Sequence, residues 1–162
     1  MYSSDYWIEK LGLLPHPEGG FYKETYRANT MINLKDFEGE RVCSTGIYFL
    51  LNRGNFSAFH RIKSDEMWHF YQGGGLEIFY FEQDYLKTVC LGNEPEKGQV
   101  FQAMVPAGVW FAARPLPSTS YALVGCTVSP GFDFRDFEMA KGEDLTTAYP
   151  KHSDLILELC IE

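Results

Sequence analysis

From Phe21 to about Ser129 the chain is a succession of short runs rich in aromatic and β-branched residues, each closed by Gly, Pro, Asn or Asp, with no helical-period stretch between them. A chain that reverses direction this often, and inserts no crossover helix, is confined to a sandwich or a barrel. The candidate strands are Phe21 to Arg27, Val42 to Leu51, Ser57 to Arg61, Met67 to Gln72, Leu76 to Phe81, Leu86 to Leu91, Gln99 to Val105, Trp110 to Ala113 and Tyr121 to Val128. The 13 Phe and 10 Tyr of the whole chain suit pleated, half-buried surfaces and supply bulk for an interior. At 162 residues the chain fits one domain, 1–162, around a single core. Short helices are expected at both ends. Ser3 or Ser4 can cap a helix through about Leu11, with Asp5 in its first turn and Gly12 as the stop. Ser153 or Asp154 opens a second, whose Leu155, Ile156, Leu159 and Cys160 fall on one face.

Charge and cysteine usage narrow the function. A net charge of -8 repels nucleic-acid phosphate. Cys43, Cys90, Cys126 and Cys160 are scattered and form no C-x-x-C pair, which argues against a zinc ribbon or a dithiol redox site and for small buried hydrophobes in a reducing compartment. The first ten residues have no cationic start or apolar h-region, and no apolar run reaches the length of a membrane span. These features predict a cytoplasmic protein with neither nucleic-acid nor membrane partner.

The stretch Gly54 to Gly73 holds His60, Glu66 and His69 within ten positions. On a strand, residues two apart share a face, so Phe56, Ala58, His60 and Ile62 line one side, and Ser57, Phe59 and Arg61 the other. Lys63-Ser64-Asp65 can make the turn, after which Glu66, Trp68 and Phe70 share a face opposite Met67, His69 and Tyr71. If His60 points inward, Glu66 can lie beside it while His69 points away.

The same stretch resembles the first motif of the cupin superfamily: Gly54, His60, Glu66 and Gly73 stand at matching spacing, with Ile62 where the pattern has its second histidine. Pro106 and Gly108 match the core of the second motif, with Phe111 at its histidine position, Pro115 at its usual terminal Asn, and two extra residues between Gly98 and Pro106. A closer resemblance runs through nearly the whole chain. His16 to Arg27, Ser44 to Leu51, the Phe59-His60-Arg61 to Trp68-His69 block, Val105 to Trp110 and Gly125 to Phe132 look like the branch often called cupin_5, a domain of unknown function. The resemblance implies an all-β fold, a double-stranded β-helix or jelly-roll barrel of the RmlC-like type with short terminal helices, usually homodimeric and with no agreed reaction.

The superfamily's metal ligands reduce here to His60 and Glu66, and bulky Ile62 and Phe111 stand in the other places, so no metal or other cofactor is expected; any metal would rest on those two. His60 and Glu66 read either as a functional polar pair in the barrel mouth or as a mutually satisfied buried pair. Glu18, Tyr22, Glu24 and Tyr26 surround the Gly19-Gly20 turn, and of these Tyr22, Glu24 and Tyr26 share a strand face that could feed polar groups into a pocket or lie solvated at an edge. Trp68, Phe70, Ile62 and Phe111 suit the wall of a ligand cavity and equally a plain core. Arg114 could grip an anionic group or sit on the surface. His16 between two prolines reads as a turn residue, Gly73-Gly74-Gly75 as a hairpin, and Phe132, Phe134 and Phe137 as packing or a subunit interface. The leading expectation is a small-molecule ligand bound inside the barrel by Trp68, Phe111, Arg114 and Ile62. Any catalysis would be metal-independent acid/base chemistry of the isomerase or epimerase kind, with His60 as base, Glu66 as its orienting partner or acid, and Tyr22 or Glu24 as second proton carrier. A non-catalytic sensor or storage module, and a metal-dependent oxygenase or isomerase with an atypical ligand set, are the alternatives.

Overall fold

The Ser3 side chain accepts a hydrogen bond from the Tyr6 backbone N–H at 3.2 Å and opens α1 (Ser4–Leu11), which ends at Gly12 in the left-handed region at φ 65°. The computed structural model describes residues 2–161. After α1 come the strands β1 (Leu14–Pro15), β2 (Phe21–Arg27), β3 (Met31–Ile32), β4 (Arg41–Val42), β5 (Thr45–Asn52) and β6 (Ser57–Arg61). The second half of the barrel is β7 (Asp65–Gly73), β8 (Leu76–Glu82), β9 (Tyr85–Leu91), β10 (Gln102–Val105), β11 (Phe111–Pro115) and β12 (Tyr121–Ser129). The chain closes with β13 (Glu138–Met139), α2 (Gly142–Ala148) and α3 (Ser153–Glu158).

Two antiparallel sheets face each other, in the orders β1-β2-β5-β12-β7-β10 and β13-β6-β11-β8-β9. Strand alternation divides the apolar residues into three layers. Phe49, Leu51, Trp68, Ile78, Phe111 and Val124 point between the sheets and form the barrel core. Phe59, Phe79 and Phe81 point outward from the five-stranded sheet and are covered by Leu145 of α2 and Ile156 of α3. Leu50, Tyr121 and Leu123 point outward from the six-stranded sheet, where Trp7, Ile8 and Leu11 of α1 cover them. The result is a jelly-roll barrel with short helices at both ends, as the sequence predicts.

The chain departs from the sequence reading in several places, among them β2, where a register shift between Glu24 and Tyr26 takes Tyr26 off the face of Tyr22 and Glu24. The run Val42 to Leu51 breaks at Cys43, whose N–H donates to Thr30 instead of the main sheet, so β4 pairs with β3 alone. The run from Gln99 starts late because the Val100 N–H donates to Cys90 at 2.9 Å. Helix α2 has a weak sequence signal: Gly142 opens it, two threonines fill it, and Leu145 is its buried residue. Strand β6 carries a register shift opposite β11, His60 pairing with Phe111 but Ser57 with Ala113. A bulge of this kind inserts one residue and resets the alternation. Ser57, expected on the face opposite His60, reaches the same side.

The segment after Gly131 packs over its own barrel. Asp133 accepts from the Arg135 N–H to start a 3₁₀ turn, Phe134–Asp136, and β13 then pairs with β6, placing Met139 opposite His60. Arg41 clamps it: its Nε and Nη2 reach the two Asp136 oxygens at 2.7 and 2.9 Å, both side chains being buried.

Candidate functional site

The site begins with a tight turn. The His16 N–H donates to Gly20 and the Gly19 N–H to His16, both at 3.0 Å, and the Ala58 N–H donates to the Glu18 carbonyl at 2.8 Å, so the turn lies flat on β6. Gly19 has φ 109°, and a Cβ there would stand 2.0 Å from the Phe56 carbonyl oxygen; only glycine permits this approach. The docked turn carries the Glu18 side chain into the barrel. Its Oε2 lies 3.0 Å from His60 Nε2, and its Oε1 accepts from Ser57 Oγ at 2.7 Å.

Hydrogen-bond logic fixes the protons on His60. Its Nδ1 is 2.7 Å from the Ala58 carbonyl oxygen, which can only accept, so Nδ1 carries a proton. Its Nε2 then faces the Glu18 carboxylate, and the ring is an imidazolium with both nitrogens engaged. Burial opposes that charge, but Glu18, first as a nearby charge and then as a hydrogen-bond acceptor, outweighs it and raises the His60 pKa above its ordinary value. Reciprocally, burial would push Glu18 up, and His60, His16 and Ser57 together pull it below the ordinary carboxylate range. His16 stays out of the pair. Its Nδ1 accepts the Glu18 N–H at 3.2 Å, and burial lowers its pKa, so the 3.7 Å approach to Glu18 Oε2 is not an ion pair.

Glu66 differs from Glu18 in both partner and protonation. It is 8% exposed and its carboxyl is pushed up to about 7, by burial first and the Glu18 charge second, with smaller opposing pulls from His60 and Cys126. Around these groups lies a cavity of about 450 Å³ at the barrel mouth, whose walls include Tyr22, Ile62, Cys126 and Val128, with Glu24, Arg27, Phe132 and Phe134 toward the rim. Arg27 Nε and Nη2 grip both Glu24 oxygens at 2.8 and 2.7 Å, and Nη2 also reaches the Phe132 carbonyl.

Of the residues singled out from the sequence, His60, Glu66, Tyr22, Glu24 and Ile62 all line this cavity. Phe111 stands behind His60, with ring centroids 4.1 Å apart. Trp68 lies in the core against Phe49 and Phe111, 1% exposed. Arg114 sits elsewhere. Strand alternation turns Phe111 and Ala113 inward and Arg114 outward, where it pairs with Glu77 and Glu158 over the Phe79 ring. His69 also points away from the interior, bonding Thr127 and Gln102. Phe137 packs 5.3 Å from the His60 ring within the same chain. The partner that sequence reasoning assigned to His60 was Glu66; the hydrogen-bonded partner is Glu18, which the sequence marks only as an acid between a proline and two glycines.

The side chains present do not fit a metal ion. Among the described residues no group of three or more His, Cys, Asp and Glu side chains is arranged to hold one. Independently, both His60 nitrogens serve protein partners, and Ile62 and Phe111 put hydrocarbon where further ligands would have to stand.

Comparison with known proteins bears on the family and the fold. Residues 5–140 match the family model Cupin_5, described as Cupin superfamily (DUF985). An uncharacterized protein of Saccharomyces cerevisiae, YML079W, is 33% identical over 145 residues, covering 82% of this chain and 72% of its own. A hypothetical protein from Leishmania major superposes with TM-score 0.93 at 33% identity, covering 99% of this chain and 100% of that one. A Shewanella oneidensis protein gives 0.90 at 39% identity, over 99% of both. A cupin-2 domain from Rhodospirillum rubrum, at TM-score 0.60 and 13% identity over 91% of this chain and 87% of that one, shares the fold alone.

Proposed function

The chain belongs to the Cupin_5 family of the cupin superfamily, and from that premise we propose that it binds a small organic molecule in the barrel-mouth cavity and moves a proton on it without a metal, Glu66 being the proton carrier. One observation supports this reading above the others. Two carboxyls line one cavity with their pKa values driven apart, Glu18 held as a carboxylate by His60 and Ser57, and Glu66 pushed up to about 7. A carboxyl that titrates near neutrality can take a proton and return it within one catalytic cycle. On a substrate with a C–H bond next to a carbonyl, ionised Glu66 removes that proton and gives it back to a neighbouring atom of the enolate, an isomerisation. His60, both nitrogens engaged, is a positioning residue that keeps Glu18 ionised. Tyr22, on the same wall, is the second proton carrier; Glu24, tied to Arg27, contacts the ligand at the rim. The reaction class also matches that of metal-free sugar epimerases on this fold, an analogy that by itself selects no substrate.

Solvent exchange tests this whatever the product is. Small hydroxyketones, aldoses and keto acids are incubated with the protein in D2O and read by mass spectrometry. The wild type is expected to place deuterium in its substrate and Glu66→Gln is not. A ligand that stabilises the fold yet is recovered free of deuterium would refute proton transfer. It would leave a non-catalytic binding module, the second reading, which the full engagement of His60 favours.

A further inference from the structure

With Glu18, His60 and Glu66 all ionised, the charges at the inner end of the cavity do not balance. Glu18 and His60 neutralise each other at 3.0 Å, with Ser57 and the Ala58 carbonyl completing their hydrogen bonds. Arg27, at the rim, has Nε and Nη2 committed to Glu24. Glu66 is left over. It is more than nine-tenths buried and lines the cavity, yet among the described residues no Lys, Arg or His forms an ion pair with it and no N–H or O–H donor is hydrogen-bonded to it. Its polar neighbour is the Cys126 thiol, a weak donor. A buried acid with no cation of its own keeps its proton, and a cation brought to it by a ligand can take that proton's place.

We propose that the cavity takes a ligand bearing a protonated amine, whose ammonium group docks against Glu66 with Glu18 beside it, while the ligand's apolar part lies along Ile62, Val128, Phe132 and Phe134. The aromatic rings at the rim suit such a cation, since a ring face attracts it on its way in. An anionic ligand meets the opposite situation: the cationic groups lining the cavity are already paired, and carboxylates stand on both the inner wall and the rim. Docking converts the Glu66 carboxylic acid to a carboxylate, and the proton leaves to the buffer. The groups that face Glu66 during this exchange are Glu18 from the His16–Gly20 turn, His60 from β6 and Cys126 from β12. The inference rests on the proton-transfer reading above, since it names the class of ligand that the same cavity and carboxyl would receive.

Matched probes that differ in charge alone test it: glucosamine, glucose and glucuronate, then benzylamine, benzyl alcohol and benzoate. Thermal stabilisation of the wild type is expected to fall in the order amine, alcohol, acid within each set. Calorimetry of the amine in buffers of different ionisation enthalpy should report release of roughly half a proton at pH 7, because Glu66 titrates at about 7. In Glu66→Gln the release should vanish and the amine dissociation constant rise by about tenfold or more. Glu66→Asp, which keeps the carboxyl, should retain both the release and the order, and it serves as well if the glutamine variant fails to fold. Equal shifts across a set, stronger stabilisation by an acid, absence of any shift with the amines, or amine binding without proton release would each overturn the inference. Failure of deuterium exchange with the amine order intact would overturn the proton-transfer reading alone.

Discussion

Replacing Glu66 by Gln should alter the pH dependence of stability in a direction and by an amount set by the raised pKa of its carboxyl. The carboxyl titrates at its ordinary value, 4.5, in the unfolded chain and at about 7 in the folded one. The folded state therefore binds this proton more tightly, and the sign follows from linkage: the contribution is fully present below 4.5 and is lost as pH rises through 7. At 1.36 kcal/mol per pKa unit the loss is roughly 3 kcal/mol, with no discount for solvent because the side chain is buried. Glutamine mimics the protonated acid and carries no such dependence. Urea denaturation of both proteins between about pH 5 and 9 should show the difference, variant minus wild type, climbing by about 3 kcal/mol and levelling off above about pH 8. The subtraction cancels the titrating groups that do not interact with Glu66, and any fixed cost of the amide shifts the curve without tilting it. Parallel stability profiles would refute the environment assigned to Glu66, and with it both the proton carrier and the amine site.

Three further outcomes follow from the same contacts. Glu18→Ala leaves His60 and Ser57 without their acceptor and should cost about 3–5 kcal/mol in denaturation; in the milder Glu18→Gln the ring loses the two largest influences that hold its pKa up and keeps only the Ala58 carbonyl and Glu66 against burial, so an NMR titration of His60 should move below the wild-type value, and an unchanged value would contradict the pairing. Arg41→Ala should destabilise the protein by about 3–5 kcal/mol and raise amide exchange through residues 133–139, with Arg41→Lys failing to restore protection because a single ammonium cannot grip both Asp136 oxygens. Trp68 has a buried indole N–H with no hydrogen-bond partner among the described residues, so Trp68→Phe, which removes that donor and keeps most of the ring, should cost under about 1.5 kcal/mol where Trp68→Ala costs about 3–5; equal losses would refute this.

The elements that the sequence makes legible are those built by local rules. Ser3 and Gly12 bound α1 because a cap and a left-handed stop act within one turn of chain. The parity of β7 places Glu66 and Trp68 inward and His69 outward because nothing interrupts alternation before it reaches them. The same rule applied to β11 shows Arg114 on the outer face once Phe111 is turned inward. Ser57 escapes the rule because a bulge is a property of two strands pairing, and β6 alone gives no sign of it. Glu18 escapes more completely. It meets Ser57 across 39 positions of chain, through a turn whose seating depends on Gly19 lying against Phe56, a contact with no periodic signature. Helix α2 is missed for the opposite reason, its propensity being poor and its stability coming from packing on the outer sheet.

These losses and gains are connected through charge. With Ile62 and Phe111 filling two places of the superfamily pattern with hydrocarbon, His60 is a buried base that needs a counter-charge, and the turn at Gly19 supplies it in Glu18. That pairing satisfies two of the three ionisable groups at the inner end, and it makes the third harder to ionise, since the Glu18 carboxylate is one of the causes that raise Glu66. A buried trio of two acids and one base is electrically neutral only while one acid keeps its proton. Glu66 keeps it because Glu18 has the hydrogen bonds and Glu66 has the cavity. The proton carrier of the proposed reaction and the seat of the proposed ammonium group are therefore the same residue for one electrostatic reason, and a second cation brought in by a ligand takes over the balance that the Glu66 proton otherwise keeps.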